Sequence, residues 1–427
     1  DVICLARLYR QRPPGHKPTR RVKSRIMISR RLRFHLAVYA AYLLVAVVIT
    51  YPLVTTLATR LIGHPFGDAY EYVHHIWWIK HALQTGQSPF FQPLLTYPHG
   101  LSSWLLWTIP LQSFPAWLFA FVMPLAAAFN LSALLTLALN GWAMYVLARD
   151  MIATTSPQSA TLAALMSGLI FMALPTFQGQ LGAAHTGLLA LWPVPLFALG
   201  LVRLRVTAQP ARKVIVGTAL ALCVSLWGSL LTAIYVLAPL IIVYVAKLIA
   251  ERRWRALRHV AAALILGGLL TLPFVLPSLP ETINARLPEG EQGDVRYSAP
   301  LLSAIAPSFY HSLFSDFDYA RRALGVDPFE HAGYLGLAAG LLALIGVWRG
   351  RGARWWLIVG LSAWILSLGP LLKLEDAALI VTIAGYETPI SLPGVLLQGL
   401  PFLSIARTPG RFDFAVGLAL AALAAYG

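Results

Sequence analysis

Long apolar runs constrain this chain more than any other feature of its sequence. They recur from residue 35 to the C-terminus, and they are continuous rather than alternating with polar residues. A helix needs about 20 apolar residues to cross a bilayer, whereas a membrane strand shows about ten residues of alternating pattern. Only 12% of the 427 residues are charged, and soluble proteins carry about 25%. The sequence therefore predicts an all-α polytopic membrane protein.

Eleven apolar runs define the expected topology, and we predict that ten of them span the membrane. They fall at 35–57, 103–125, 127–148, 159–175, 186–202, 214–228, 229–248, 257–278, 333–348, 355–372 and 412–427. The last run stops at Gly427, so we expect an incomplete span and a chain that continues. The exception is 103–125, whose three prolines each remove a backbone donor. A full crossing there would place the basic loop 203–213 outside, so we predict a re-entrant or interfacial helix.

Basic residues indicate the orientation of the spans. Residues 1–33 hold eleven Lys and Arg residues, and basic loops recur at 203–213, 247–258 and 349–354. Lys and Arg favour the cytoplasmic side of membrane proteins. We therefore predict a disordered, basic cytoplasmic tail over 1–33, in which Met27 is the expected natural start, and a transmembrane domain over 34–427. The net charge of +16 does not indicate nucleic acid, because the basic residues alternate with spans instead of forming one face.

Acidic residues lie on the opposite side. Under this topology, fourteen of the seventeen Asp and Glu residues fall outside. The long external segments are 58–102, which we expect to carry amphipathic helices, 279–332 and 373–410. Loops of this length are usually functional, so any chemistry is expected on the outer face. The two cysteines, Cys4 and Cys223, are far apart and indicate no disulfide framework.

The first external segment contains "FGDAYEYVHHIWW", residues 66–78. Asp68 is a favourable helix N-cap, and the residues after it have helical apolar spacing, with Trp77 and Trp78 suited to a membrane interface. We predict an amphipathic surface helix that begins at Asp68. Residue types alone leave two roles open for Asp68, a helix cap or a functional carboxylate.

Further candidate residues lie at the ends of external segments. His99 falls in the proline-rich stretch 88–102, and His185 falls in "LGAAHTGLL". Arg407 and Arg411 lie in "RTPGRF" at the outer end of the last span, where the positive-inside bias disfavours arginine. Guanidinium groups bind phosphate bidentately. The alternatives are an idle loop position for His99, a helix cap at His185 and lipid headgroup contact for the arginines.

The order of these motifs resembles a known family. "GDAYEYVHHIWWIKHAL" after one span, then "TGQSPFFQPLLTYPHG", "GWAMYVLARDM", "SGLIFMALPTFQGQLGAAHTGLLALWPVPLFAL" and "FLSIARTPGRFDFAV" are similar to bacterial polytopic membrane proteins of the type C glycosyltransferase (GT-C) superfamily. The resemblance covers nearly all of 34–427. It implies a transferase that takes a sugar from a polyprenyl-phosphate carrier at the outer face of the plasma membrane, without a nucleotide sugar.

The resemblance also implies roles for individual residues. Asp68 matches the carboxylate that acts as general base or helps to hold a divalent metal, and Glu71, one turn further on, would assist it. Arg407, Arg411, His185 and His99 would bind the lipid phosphate or the substrate. Many relatives have a second acidic residue where this chain has His185, so a divalent metal stays an open but disfavoured alternative, and the resemblance implies no certain cofactor. Membrane lipids and the polyprenyl-phosphate sugar are the expected partners.

Other function classes fit the sequence less well. A non-catalytic GT-C-like scaffold subunit of a larger membrane complex, for instance an electron-transfer complex with other membrane subunits, is the main alternative. A haem protein would place histidine pairs inside its spans, and the histidines here lie at span edges or outside. A transporter would place ionisable groups near the bilayer midplane, and the runs show no obvious ones.

Overall fold

The apolar runs fold into α-helices, as predicted. The structure, a computed structural model, describes residues 20–102, 110–152, 156–206, 211–278, 293–307, 318–325, 327–350, 352–398 and 407–427. The helices that correspond to predicted spans are Arg20–Ile49, Leu125–Met151, Pro157–Met172, Pro193–Val206, Arg212–Gly228, Ala238–Ala250, Trp254–Val275, Leu337–Arg349, Ala353–Ser367 and Asp413–Tyr426. The all-α prediction is therefore confirmed.

Six helical stretches in the described part of the chain are long and apolar enough to cross a membrane: Arg30–Ile49, Leu125–Met151, Pro157–Ala183, Thr186–Val206, Ala233–Ala250 and Trp254–Val275. The apolar helices Leu337–Arg349 and Ala353–Ser367 are shorter. The total of ten spans stays a prediction.

The run 103–125 does not form one long helix. Residues 103–109 lie outside the described residues, and Pro110–Phe119 is a helix of 10 residues, which is about 15 Å long and too short to cross about 30 Å of hydrocarbon. The chain then turns, and the next helix begins at Leu125 after Pro124. The short helix contacts that next helix, where Ser132 donates to the carbonyl of Gln112 at 3.3 Å. This geometry matches a re-entrant or interfacial helix.

The N-terminal segment differs from the prediction. A helix already begins at Arg20 and continues to Ile49, so residues 20–33 are helical and the expectation of disorder there is wrong. Helix formation extends the first span backwards because this basic stretch has no proline after Pro18 to stop it. Residues 1–19 lie outside the described residues. The described part of the chain divides into two compact units, of which the first ends at Ala41 and the second begins at Tyr42.

The segments predicted to be external contain short elements. In 58–102 the predicted surface helix is present as Ala69–Thr85, and it is followed by a small antiparallel pair, Phe91–Gln92 with Leu101–Ser102. A second hairpin pairs Ile380–Ile383 with Tyr386–Pro389, with Ile380 opposite Pro389. The short helices are Gly293–Arg296, Asp318–Leu324 and Val395–Gln398, and 3₁₀ turns cover Leu53–Thr56, Thr186–Leu188, Leu276–Ser278, Leu301–Ala304 and Pro409–Phe412.

The last helix, Asp413–Tyr426, lies in the core. Nearly all of its residues are buried, and most are small, which lets neighbouring helices approach closely. Ser167 on the helix Pro157–Met172 donates to the carbonyl of Ala421 at 2.7 Å. Because this helix is packed on several sides, the turn immediately before it, Pro409–Phe412, holds its side chains in fixed positions at the N-terminal end of the helix.

Candidate active site

A buried asparagine fixes the loop that leads to Asp68. Asn130 on the helix Leu125–Met151 is fully buried. Its side-chain oxygen accepts from the backbone N–H of Ile62 at 3.0 Å. Its amide nitrogen donates to the carbonyls of Leu57 at 2.8 Å and Arg60 at 2.7 Å. One side chain therefore satisfies three backbone groups of the loop, which is how irregular backbone is tolerated beside membrane helices.

Asp68 occupies the N-cap position of the surface helix, but its side chain makes no cap hydrogen bond. The backbone N–H of Asp68 donates to the carbonyl of Ala183 at 3.1 Å, and that of His64 donates to Gly182 at 2.6 Å. The carboxylate is half-exposed, and its Oδ2 lies 3.2 Å from Nε2 of His185. The predicted helix start is confirmed, whereas the side chain is directed to another titratable group rather than to the helix backbone.

His185 follows the end of the helix Pro175–Ala183. Ala184 ends that helix in the left-handed region, with φ of 60°, and the backbone N–H of His185 donates to the carbonyl of Gln180 at 2.9 Å. The chain therefore folds back, and Nδ1 of His185 lies 2.6 Å from Oε1 of Gln180. The ring makes no cap hydrogen bond to the following turn, so the capping alternative for His185 does not hold.

Gln180 determines which nitrogens of the His185 ring donate hydrogen bonds. Nε2 of Gln180 donates to Oε2 of Glu330 at 3.1 Å, so its Oε1 is left to accept from Nδ1 of His185. Oε1 of Glu330 lies 3.4 Å from the same Nδ1. On its other side the ring faces the Asp68 carboxylate. Both ring nitrogens thus face acceptors, and only an imidazolium has two N–H donors to satisfy them.

Glu330 and Arg411 form a buried ion pair. The guanidinium donates from Nη2 to Oε1 of Glu330 at 2.5 Å, and from Nε to both carboxylate oxygens at 3.2 and 3.1 Å. The side chain of Glu330 is 5% exposed and that of Arg411 is 15% exposed. Gly410 lies against this pair, because a Cβ there would be 2.5 Å from the carbonyl oxygen of Glu330. Only glycine allows the two backbones to approach so closely.

These four side chains form an alternating charge chain, Asp68, His185, Glu330 and Arg411. Burial opposes the imidazolium, but the hydrogen bonds that the ring donates to Asp68 and Glu330 outweigh this effect and raise the pKa of His185 to about 9. The hydrogen bond from His185 lowers the pKa of Asp68. Burial opposes the Glu330 carboxylate as well, but Arg411 and His185 lower its pKa to about 2. All four groups are therefore ionised at neutral pH.

The charge chain lines a cavity of about 450 Å³. Arg407 lies on its wall, and so does an aromatic group in which the ring centres of His64 and Phe66 are 5.5 Å apart and those of His64 and Phe329 are 6.0 Å apart. Phe66 is 92% exposed, so its face is available to a ligand. The cavity thus combines an aromatic side, a half-exposed carboxylate and cationic groups.

Four of the six candidate residues meet at this cavity: Asp68, His185, Arg407 and Arg411. Glu71 is exposed one turn further along the helix, and His99 is exposed in a turn where its N–H donates to the carbonyl of Thr96 at 3.1 Å. Neither lines the cavity. Gln180 and Glu330 were not among the predicted site residues. The available signal for Glu330 was its position in "DPFEHAGYL", where an acid lies among aromatic and apolar residues at the edge of a span.

The side chains present do not fit a divalent metal. Both nitrogens of His185 face acceptor oxygens and carry protons, so the ring has no lone pair for a ligand bond. The oxygens of Glu330 accept hydrogen bonds from Arg411 and Gln180. Within the described ranges, no three His, Cys, Asp or Glu side chains are arranged to hold a metal ion.

Comparison with protein families gives one match. A family model with the description "Domain of unknown function (DUF6311)" matches residues 38–427. No curated protein matches the chain.

Comparison with solved structures finds ArnT from Cupriavidus metallidurans. The structure bound to undecaprenyl phosphate is 15% identical, with a TM-score of 0.47, and the match covers 92% of this chain and 59% of that one. The apo structure is also 15% identical, with a TM-score of 0.49, and the match covers 93% and 59%. This chain therefore spans about three fifths of the length of the solved proteins it matches.

Proposed function

We propose that this chain, which belongs to the family described as "Domain of unknown function (DUF6311)", is a glycosyltransferase. It moves a sugar from a polyprenyl-phosphate donor to an acceptor at the outer face of the bacterial plasma membrane. The N-terminus is cytoplasmic in this proposal, and the cavity opens on the side where the acidic segments lie. The proposal rests on the resemblance of the sequence to the GT-C superfamily and on the charges of the cavity.

One observation carries the proposal, the placement of an ionised carboxylate beside fixed cations in one cavity. In glycosyl transfer, positive charge develops on the sugar ring while negative charge develops on the leaving phosphate. Fixed groups of opposite charge at those two places stabilise the transition state without reorganisation. Asp68 supplies the negative group and Arg407 supplies a positive one, whereas the His185 imidazolium contributes only its charge, because its two N–H groups already face Gln180 and Asp68. Arg411 contributes indirectly, because Glu330 already engages its Nε and Nη2.

The proposed reaction forms one bond and breaks one. The acceptor oxygen forms a bond to the anomeric carbon, and the bond between that carbon and the phosphate oxygen breaks with its electron pair going to the phosphate. The acceptor's proton passes to Asp68, directly or through one water, and then to solvent, because the carboxylate is half-exposed. The products are the glycosylated acceptor and the polyprenyl phosphate.

The aromatic side of the cavity suits a sugar. Binding sites for small molecules combine aromatic walls with a few polar groups that fix orientation. Phe66 and His64 belong to the loop that carries Asp68, so a ring stacked there is within reach of the carboxylate. The lipid part of the donor would remain in the membrane, because the cavity wall is rich in charged groups.

The experiment follows polyprenyl-phosphate release by the purified protein in lipid nanodiscs, with a panel of polyprenyl-phosphate sugars. Undecaprenyl phosphate, which one ArnT structure holds, is the first carrier to test. We expect turnover by the wild type and a loss of at least about 100-fold for Asp68→Asn, the lower range for a general base. Glu387→Gln removes an exposed acid of the β-hairpin and is the matched control.

Equal loss in both variants, or no loss in Asp68→Asn, would contradict the assignment of Asp68. If a folded protein turns over no donor and co-purifies stoichiometrically with other membrane subunits, the scaffold alternative replaces the proposal.

A further inference from the structure

Three cations from separate segments meet at the helix ends that lie away from the charge chain: Arg205, Lys247 and Arg253. They come from the last turns of the helices Pro193–Val206 and Ala238–Ala250 and from the loop before Trp254–Val275. Glu251 is the acid among them. We call these four residues the basic cluster. Three cations and one acid leave two positive charges without a counter-charge in it.

The two arginines already engage Glu251. Nε and Nη2 of Arg205 donate to its Oε2 and Oε1 at 2.9 and 3.0 Å, and Nε of Arg253 lies 3.4 Å from the same Oε2. A guanidinium carries five N–H donors, and the side chains of Arg205 and Arg253 are 32% and 49% exposed. Both arginines therefore keep donors that a second anion can reach.

Lys247 has aromatic neighbours but no acid of its own. Its Nζ lies 4.9 Å from the ring centre of Trp355 and 5.9 Å from that of Tyr244, and both rings are buried. Ring faces attract an ammonium, but its three N–H groups also need acceptor oxygens. Among the described residues it makes no hydrogen bond or ion pair. The charges of the other three cluster members act on that of Lys247, so all four belong to one site.

An exposed apolar face continues from the basic cluster along the helix Ala238–Ala250. Ile249 lies beside the cluster and Ile242 lies two turns further along, and both are exposed. Residues seven apart share one face of a helix. Val206, which follows Arg205, is exposed as well. The site thus combines excess positive charge with an apolar surface directly below it.

We propose that the basic cluster binds the phosphate headgroup of an anionic phospholipid, whose acyl chains lie along the exposed apolar face. A phosphodiester supplies the acceptor oxygens that Lys247 lacks, and arginine binds phosphate oxygens with a matching geometry. Its negative charge offsets the excess of the cluster. Basic pockets between membrane helices bind such headgroups.

The positive-inside rule accounts for basic residues at this end of the helices. It does not account for the convergence of three of them on one acid beside two buried rings. The predicted orientation places the site in the cytoplasmic leaflet. The proposal goes beyond the proposed function and does not depend on it, because lipid binding at this end of the helices requires no transfer reaction.

The test follows thermal unfolding of the purified protein in dodecyl maltoside micelles. We expect added phosphatidylglycerol to raise the melting temperature of the wild type in a saturable way, as a ligand of the folded state does. Phosphatidylcholine and inorganic phosphate at the same concentration should not. No rise specific to phosphatidylglycerol would overturn the proposal, and an equal rise with inorganic phosphate would overturn the assignment to a lipid.

Variants locate the effect at the basic cluster. Lys247→Gln and Arg253→Gln, the second of which keeps the Arg205–Glu251 pair, should each weaken the apparent affinity for phosphatidylglycerol about fivefold. Lys247→Arg keeps the charge and should keep the affinity. The matched control is Lys213→Gln, which removes an exposed lysine at the same end of the neighbouring helix Arg212–Gly228 and should behave like the wild type.

Each variant is compared with itself without lipid, so a lower starting stability does not alter the result. If Lys247→Gln and Arg253→Gln bind phosphatidylglycerol as tightly as Lys213→Gln, the basic cluster is not the site. None of these measurements uses turnover. Failure of this proposal and failure of the proposed function are therefore separate results.

Discussion

Glu330 is the residue on which the other charges of the site depend. It contacts Arg411 on one side and the His185–Gln180 pair on the other, and it is almost fully buried. A buried carboxylate is stable only while it is paired, and removal of one partner of such a pair is far more costly than the pair's net contribution. A substitution at Glu330 is therefore expected to change the protonation of His185, and through it the charge environment of Asp68.

The first prediction concerns Glu330→Gln and the pH dependence of transfer. The pKa of His185 is raised to about 9 in the folded protein, so the imidazolium is present below that pH and is lost above it. We expect wild-type turnover to fall as pH rises through about 9. Glu330→Gln lacks one of the two carboxylates that stabilise the protonated imidazole. We therefore expect its turnover to fall at a lower pH than that of the wild type. The measurement is kcat against pH, with Glu387→Gln as the control.

The same proton affects stability with a defined sign. A raised folded-state pKa contributes stability that is fully present below the usual histidine pKa of about 6.5 and is lost as pH rises through about 9. The melting temperature of the wild type should therefore fall over this alkaline window by more than that of Glu330→Gln. The wild type and Glu330→Gln are compared in two ways: by the pH at which turnover falls, and by the pH dependence of the melting temperature. If neither differs between the two proteins, Glu330 does not hold the proton on His185.

The second prediction concerns the aromatic side of the cavity. Phe66→Leu keeps an apolar side chain but removes the ring, and a stacked aromatic contact contributes about 0.5–1.5 kcal/mol. We expect the KM for a sugar substrate to rise about two- to tenfold. Tyr386→Leu, which removes another highly exposed ring (78% exposed) on the hairpin, should leave KM unchanged. An equal change in both variants would indicate a general surface effect instead of stacking.

At the scale of elements, the segments 279–332 and 373–410, both predicted to be external, meet at a second buried charge cluster. Nζ of Lys373, only 2% exposed, lies 3.6 Å from Oδ1 of Asp376 and donates to the carbonyl of Arg296 at 3.2 Å. The buried ring of His331 contacts the same carbonyl at 2.9 Å and that of Leu324 at 2.7 Å. The cluster joins the segments 279–332 and 373–410, and Glu330 is the immediate neighbour of His331.

The third prediction compares two adjacent acids of this region. Asp376→Asn leaves the buried Lys373 without its carboxylate, and breaking a fully buried pair costs about 3–5 kcal/mol. Because Asp376 is 26% exposed, we expect a smaller loss of about 2 kcal/mol in the free energy of unfolding. Glu375 pairs with the exposed Arg322 at 3.4 Å, so Glu375→Gln should cost less than about 1 kcal/mol. Thermal unfolding in nanodiscs measures both, and equal losses would contradict the argument.

The fourth prediction concerns the contact between the helix Pro175–Ala183 and the turn that carries Glu330. A Cβ on Gly179 would collide with the carbonyl oxygen of Phe329 and lie 2.9 Å from the Cβ of Ala332. Overpacking of this kind costs about 1–3 kcal/mol, and the displaced turn would also separate Glu330 from Gln180. We expect Gly179→Ala to lower both the melting temperature and turnover.

Gly268→Ala is the control for this contact. A Cβ on Gly268 has open space around it, and the residue lies inside the helix Trp254–Val275, where alanine is favoured over glycine by about 0.5–1 kcal/mol. We expect no loss of stability or turnover. If Gly179→Ala behaves like Gly268→Ala, the close packing of the two elements is not needed for the site.

Elements were predictable from the sequence where one local pattern decides them. Continuous apolar runs gave the helices, three prolines indicated that 103–125 is not one span, and the spacing after Asp68 gave the surface helix. The grouping of residues at the cavity was predictable in part, because the two arginines have a charge that is unusual at the predicted outer end of a span, and the resemblance to the GT-C superfamily indicated Asp68 and His185. Glu330 was not, since it is one of several acids in 279–332 and only tertiary packing brings it to Gln180 and His185.

At the scale of the whole molecule, acidic side chains are arranged differently at the two ends of the helices. On the side predicted to be cytoplasmic, Asp150 pairs with Arg203 at 2.7 Å and Glu251 pairs with Arg205 at 2.9 Å. These acids lie among a larger number of basic residues. On the opposite side Asp68, Glu330 and Asp327 line one cavity. The positive-inside rule predicts that the side rich in basic residues is cytoplasmic, and the cavity would then lie on the outer side.

The fifth prediction tests that orientation with single cysteines in a chain whose own cysteines are replaced. One cysteine replaces Glu387 on the exposed hairpin. The other replaces Arg253 in a basic loop, where the arginine side chain is 49% exposed. We expect a membrane-impermeant maleimide to label position 387 in intact spheroplasts and position 253 only after permeabilisation. The reverse pattern would place the cavity in the cytoplasm. A transferase that uses a carrier on the outer leaflet would then be impossible, whatever the chemistry of its charge chain, because donor and site would lie on opposite sides of the membrane.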